Sequence, residues 1–183
     1  KNGLLIGYLR IKQFNANASK DLKKVIIDYE IKNVSGYILD LRSNPGGLLD
    51  SSIEISRQFI DKGIIVSTLS KNGAKKVKRA NGSALTRKPL VVLVNEGSAS
   101  ASEIVSGAIR DNLRGKLVGK KTFGKGLVQS MRSLVDGSGL TVTVAKYLTP
   151  NGVDINKFGI TPDLEVSMNI NPILQKQIGT CLL

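Results

Sequence analysis

Nine consecutive residues, Asn95-Glu96-Gly97-Ser98-Ala99-Ser100-Ala101-Ser102-Glu103, bring three serines and two carboxylates together in a chain of 183 residues that has no histidine. Small hydroxyl residues that follow an apolar run and enter a helix are how a fold presents a serine nucleophile. Without histidine that serine cannot belong to a Ser-His-Asp triad, so its base must be a lysine or a carboxylate. Lys125, in Gly119-Lys120-Lys121-Thr122-Phe123-Gly124-Lys125-Gly126, is the candidate, 25 residues beyond Ser100. A lysine acting as base must be neutral, which for an ordinary lysine at pH 7 costs roughly 4.6 kcal/mol. Burial in an apolar pocket lowers that cost. The uncharged flanks of Lys125 predict such a pocket, and Lys120 and Lys121 add repulsion in the same direction. A lysine followed by glycine in a loop also fits a solvated side chain, and Ser100-x-x-Glu103 also fits a capping box.

A nucleophile at the start of a helix gains from the positive end of the helix dipole and from unpaired N–H groups. The Ala101 N–H, next to Ser100, is one such donor. The loop Asn44-Pro45-Gly46-Gly47 supplies a second candidate, because glycine lets backbone approach a substrate and aim an N–H at it. Paired glycines after a strand also make an ordinary turn. Gly119-x-x-x-x-Gly124-Lys125 is close to a phosphate-binding loop, but Gly126 replaces the required Ser or Thr. Leu127 to Met131 reads as a strand where that loop needs a helix.

The positioning elements follow from periodicity. Leu4 to Leu9 reads as a strand. Ser19 reads as the N-cap of a helix carrying Leu22, Val25, Ile26 and Tyr29. Gly36 to Leu41 is a buried strand opening into Arg42–Gly47, and a helix with Ile53, Ile55, Phe59 and Ile60 follows. Ile64–Leu69 and Ala74–Lys78 flank Asn72-Gly73 as a hairpin. Leu90 to Val94 is an apolar strand feeding the serines. From Ser100 to about Leu113 the pattern is helical, with Ile104, Val105, Ala108 and Ile109 as its buried stripe. Leu127–Val135 and Leu140–Tyr147 form a second hairpin around Asp136–Gly139. The alternation of strands and helices predicts an α/β layered core.

Composition allows a single domain over residues 1–183: 41% hydrophobic, 4% aromatic, 19 glycines. The balance of 27 basic against 14 acidic residues gives +13. That charge favours anionic partners at long range. The lysines read as a solvated surface spread over several elements, with few aromatics to stack bases. Nucleic acid is therefore not expected as a partner, and association with a membrane surface is possible. One cysteine, Cys181, leaves no intrachain disulfide framework, and no run is long enough to span a bilayer. The start at Lys1 reads as that of an excised fragment without a signal peptide.

Taken in order, Asp40-Leu41-Arg42-Ser43-Asn44-Pro45-Gly46-Gly47, Gly97 to Ile104, Lys121 to Gly126, Tyr147-Leu148-Thr149-Pro150-Asn151-Gly152 and Gly159-Ile160-Thr161-Pro162-Asp163 closely resemble the carboxyl-terminal-processing peptidases, or tail-specific proteases. The resemblance implies a Clp protease/crotonase-like layered core of β-sheet with flanking helices. It implies a serine endopeptidase that cleaves proteins near accessible C-termini, with Ser100 as nucleophile, Lys125 as base and Gln129 orienting the lysine. A strand from Lys125 would place Lys125 and Gln129 on one face. The implied oxyanion donors are the N–H groups of Gly46 and Ala101. The resemblance also offers Asp111 as a third member, but in a continuous helix it would lie roughly 16 Å along the axis from Ser100, so a structural role is expected. Neither metal nor cofactor is implied. A PDZ domain is expected in the full-length protein and nothing here matches its carboxylate-binding loop. The implied location is extracytoplasmic: periplasm, cell envelope or thylakoid lumen. An inactive peptide-binding scaffold of the same fold and a crotonase-like acyl-CoA enzyme are the alternatives.

Overall fold

The computed structural model describes residues 3–134 and 136–166, without the side chains of 130–133. The element order is β1 (Ile6–Arg10), α1 (Ala18–Ile31), β2 (Gly36–Asp40), α2 (Leu49–Arg57), β3 (Ile64–Ser70), β4 (Lys75–Arg79), β5 (Leu90–Val94), α3 (Ala101–Asp111), β6 (Lys116–Gly119), β7 (Leu127–Ser133), β8 (Gly139–Leu148) and β9 (Leu164–Glu165). Two sheets result. The first is a five-stranded sheet in the order β1-β2-β5-β6-β9, parallel throughout. The second is an antiparallel four-stranded sheet in the order β4-β3-β8-β7. The fold is α/β, as the alternation of elements predicts.

The parallel sheet turns Leu39, Val92, Val94 and Leu117 into a core shared with Ile26 of α1, Ile55 of α2 and Val105, Ala108 and Ile109 of α3, each fully buried. Apolar side chains at alternate strand positions and at helical spacing meet there, and their removal from water drives the assembly. The α3 stripe read from the sequence is buried, Ile104 included. In α1 only Leu22 and Ile26 are buried, and Val25 faces outward. The N-cap of α1 is Asn17, not Ser19. Asn15 Oδ1 accepts the Asn17 and Ala18 N–H groups at 2.9 Å each, so the turn closes before Ser19. Ser19 instead accepts Gln58 Nε2 through its carbonyl (2.8 Å) and its hydroxyl (2.9 Å), pinning α1 to the end of α2. Cys181 and Val135 lie outside the described residues.

Candidate active site

The parallel arrangement carries the carboxyl ends of β2 and β5 to the same edge, because Asp40 pairs with Leu93. Loops leaving that edge are adjacent, and ligands of open α/β sheets collect there. After β2 comes the loop Leu41–Leu48, and after β5 the loop Asn95–Ser100. Buried polar groups bind the two together. Ser98 Oγ donates to the Leu41 carbonyl at 2.7 Å and accepts the Asn95 N–H at 3.0 Å. Ser102 Oγ donates to the Asn44 carbonyl at 2.9 Å, and that oxygen also accepts the Ala99 N–H at 3.0 Å. Asn44 Nδ2 reaches the Ile11 carbonyl at 2.7 Å. Ser98, Ser102 and Asn44 are fully buried. Their side chains complete the hydrogen bonding of the backbone groups in these turns.

Ser100 is the serine of the three left partly open to solvent. It stands at the N-cap of α3 with φ 55° and ψ −112°. A non-glycine residue with positive φ is strained, and the surrounding hydrogen bonds hold it there. The Ser100 hydroxyl faces the third helical residue as in a capping box, yet makes no full cap hydrogen bond. The Glu103 N–H donates instead to the Ser100 carbonyl at 2.8 Å. Both readings of Ser100-x-x-Glu103 therefore meet in one residue, whose backbone caps the helix while its hydroxyl stays available.

Gly46 lies directly against this serine. A Cβ at position 46 would come within 2.8 Å of both the Ala99 carbonyl oxygen and Ser100 Cβ, and 3.0 Å from the Ala101 nitrogen. Its φ of 105° also favours glycine. The Ala101 N–H, at the first helical position, donates to no group among the described residues. The Gly46 N–H donates to Asn44 Oδ1 at 2.9 Å. Before Arg42, Asp40 is buried at the end of β2 and accepts Tyr8 Oη (2.5 Å), Arg42 Nε (2.9 Å) and Arg42 Nη2 (2.7 Å). Burial opposes its charge, but the hydrogen bonds from Arg42 and Tyr8 outweigh burial and hold the carboxyl below its usual range.

Glu103 is the functional residue that the sequence reading placed only as a cap. Its side chain is fully buried. Oε2 accepts the N–H groups of Ser100 (2.9 Å) and Lys125 (2.8 Å), while Oε1 accepts Thr122 Oγ1 (2.6 Å) and the Gly124 N–H (2.7 Å). A buried carboxylate persists only with such a full set of donors. One side chain thus ties the backbone of Ser100 to that of Lys125. The later sequence motifs brace the same loop. Thr122 exchanges hydrogen bonds with Ile160 in both directions (3.1 and 2.7 Å), and the Lys157 N–H reaches the Gly124 carbonyl at 2.8 Å. Asp163 Oδ2 accepts the Leu117 N–H at 2.8 Å at the start of β6.

Lys125 departs from the expected environment. Its side chain is exposed and makes no hydrogen bond or ion pair among the described residues. The uncharged flanks predicted burial, but Phe123, which they include, is itself turned to solvent, and among the described residues no apolar wall closes over the amine. Lys125 also precedes β7 rather than lying in it, so the strand-face relation to Gln129 does not apply. Gln129 stands on β7, exposed, beside a register shift in the pairing with β8. Asp111 is buried at the far end of α3, pairs with Arg110 at 2.9 Å and accepts the Asn151 N–H at 3.1 Å, an anchoring part. After Gly124-Lys125 comes strand β7, not the helix that a phosphate-binding loop requires.

A sequence profile described as Peptidase family S41 matches residues 5–166. The carboxyl-terminal-processing protease of Synechocystis sp. is 53% identical over 161 residues, covering 88% of this chain and 38% of that protein. The chloroplastic C-terminal processing peptidase of Tetradesmus obliquus is 42% identical over 168 residues, 91% of this chain and 36% of that protein. A solved photosystem II D1 C-terminal processing protease superposes with a TM-score of 0.85 at 39% identity, covering 94% of this chain and 47% of that one. The chain spans less than half the length of these relatives. With a profile match across nearly all the described residues and this level of identity, the chain belongs to peptidase family S41.

Proposed function

We propose that this chain is the catalytic core of a serine endopeptidase that cleaves protein substrates near their C-termini with a Ser100-Lys125 dyad. The observation that carries the reading is the selective freedom of Ser100. Its neighbours Ser98 and Ser102 are consumed by backbone contacts, whereas Ser100 sits strained at a helix N-terminus beside an unpaired N–H. Ser100 Oγ attacks the scissile carbonyl as its proton passes to neutral Lys125 Nζ. Negative charge then develops on the carbonyl oxygen, stabilised by the N–H groups of Ala101 and Gly46. For Gly46 this means a substrate oxygen replacing or sharing its contact with Asn44 Oδ1. Lys125 returns the proton to the leaving amine, and water activated by the same amine releases the acyl group.

The exposed Lys125 fits a substrate-free state in which the peptide itself covers the amine and favours its neutral form. Gln129, two residues into a strand that begins after Gly126, would steady the lysine once it turns inward. Capture of the substrate C-terminus belongs to a PDZ domain of the full-length protein. An extracytoplasmic location, in periplasm, cell envelope or thylakoid lumen, agrees with relatives named as chloroplastic. No helix among the described residues is long and apolar enough to cross a membrane.

The test is the rate at which a peptide ester acylates Ser100, followed by mass spectrometry across pH. Acylation should rise with pH in the native sequence and vanish in both Lys125→Ala and Lys125→Arg, because a guanidinium keeps its proton at any usable pH. Acylation that is flat with pH, or an active Lys125→Arg, overturns the dyad.

A further inference from the structure

The positive charge is less evenly spread than a scattered lysine surface would be. Eight of the 27 basic residues fall between Lys62 and Lys88, and residues 62–95 contain no aspartate or glutamate. Four of the eight, Lys75, Lys76, Lys78 and Arg79, occupy β4, where every residue is exposed. Strand β4 pairs with β3 alone, so it is the outer edge of the antiparallel sheet. Lys71, in the turn that joins β3 to β4, and Lys62, just before β3, extend the same edge at both ends and are exposed.

Arg87 and Lys88 have acidic partners, Asp61 at 2.6 Å and Glu30 at 3.1 Å. The six cations of the β4 edge have no ion pair among the described residues. Four charges over a strand length of about 14 Å are closer together than the screening length of ~8 Å at physiological salt, so they act as one field. Lysine on an edge strand guards against edge-to-edge pairing. That role does not account for Lys62 and Lys71 or for 34 consecutive residues without an acid.

The residue types select the partner. Five of the six cations are lysines, compact charges that neutralise an anionic surface without reading its geometry as arginine forks do. Residues 62–95 contain no Phe, Tyr or Trp on which bases could stack. Val77, exposed on the face of β4 that also carries Lys75 and Arg79, adds an apolar contact there. We propose that the β4 edge docks this domain peripherally on an anionic lipid bilayer. The geometry is compatible with catalysis, since β7, the strand that follows Lys125, lies at the opposite edge of the same sheet.

The experiment is flotation of the whole chain with phosphatidylcholine vesicles, with and without phosphatidylglycerol, at several salt concentrations. Binding should require phosphatidylglycerol and weaken with salt. The triple variant Lys75→Gln/Lys76→Gln/Lys78→Gln should lower the partition coefficient by about 100-fold, as expected for three cations near an anionic surface. The control Lys20→Gln/Lys23→Gln/Lys24→Gln on α1 removes the same net charge and should lose far less. The double variant Lys62→Gln/Lys71→Gln keeps β4 intact and should lose about tenfold or more, which holds the test open if the triple variant fails to fold. Equal losses in the β4 and α1 triples, or binding without phosphatidylglycerol, overturn the proposal. So does tighter binding to duplex DNA than to the anionic vesicles at the same salt, or a β4 triple that self-associates while still binding them.

Discussion

The two halves of the candidate site are built to different standards. On the nucleophile side, Ser98, Ser102 and Asn44 are fully buried and spend their polar atoms on the turns around Ser100. On the base side, the backbone of Gly124 and Lys125 is fixed by Glu103, yet the lysine side chain touches no polar partner among the described residues. An oxyanion site and a strained serine must be in place before substrate arrives, since reorganising dipoles during reaction would forfeit their advantage. A lysine has the opposite requirement: in water it is charged, and it becomes a base only when covered. The difference separates what the fold can preorganise from what binding must complete.

The largest expected effect breaks the nucleophile side. Ser100→Ala should reduce peptide cleavage by about 10³-fold or more while leaving the thermal midpoint nearly unchanged. Ser98→Ala, which leaves the Asn95 N–H without its partner, should destabilise by about 1–3 kcal/mol, and Ser102→Ala, whose acceptor keeps the Ala99 N–H, by about 0.5–1.5 kcal/mol, with activity retained in the folded fraction of both. A stable, inactive Ser98→Ala would move the nucleophile and undo the contrast.

Next comes the link between the halves. In Glu103→Gln the amide NH2 must face either the N–H groups of Ser100 and Lys125 or the Gly124 N–H beside the Thr122 hydroxyl, so at least one N–H donor is orphaned. The expected result is a kcat about 100-fold lower, consistent with displacement of reacting groups by fractions of an ångström. KM should change much less, because Glu103 is buried away from substrate. Thr122→Val removes one donor and leaves the N–H contacts of Ser100 and Lys125, so its kcat should fall less than that of Glu103→Gln. Equal falls would reduce Glu103 to a general structural role.

How much of this could be read in advance differs between the same two halves. The serine loop, the glycine loop and the α3 stripe were legible because they rest on short-range rules: apolar periodicity, helix starts and glycine turns. The burial of Lys125 was predicted from its uncharged neighbours, and this failed because exposure is decided by what the rest of the chain brings over a loop. The strand from Lys125 failed for a related reason, since the bond from Lys125 N–H to Glu103 holds that residue in the loop and pairing starts only at Leu127. Three of the four contacts of Glu103 span sequence separations of 19 to 22 residues, and nothing local announces them. A glutamate at the third position of a helix with a capping serine reads as a cap, which it also is. The lysines read in sequence as a surface spread over several elements; the acid-free run from 62 to 95 stands in the sequence, but its concentration on one sheet edge needed the strand order.

The smallest effect concerns stability in acid and is tested at the root of the glycine loop. Asp40, at the root of the glycine loop, has its carboxyl held below the usual range because hydrogen bonds from Arg42 and Tyr8 outweigh burial. A carboxyl lowered in the folded state contributes stability in full above its unfolded value of ~3.9 and loses it as pH falls through the folded value. Asp163 and Asp154 are shifted in the same direction, each with hydrogen bonds from a lysine and a backbone N–H outweighing burial. The thermal midpoint should therefore be level near neutrality and fall below about pH 4. Asp40→Asn should lower the midpoint at pH 7, at a cost of about 1–3 kcal/mol, and flatten the acid slope, because the variant has one less carboxylate to protonate. The base side should be indifferent, with Lys125→Ala showing the native acid slope. A native midpoint that stays level through pH 3, or an Asp40→Asn slope as steep as the native one, would remove Asp40 from the set of groups that fix the glycine loop.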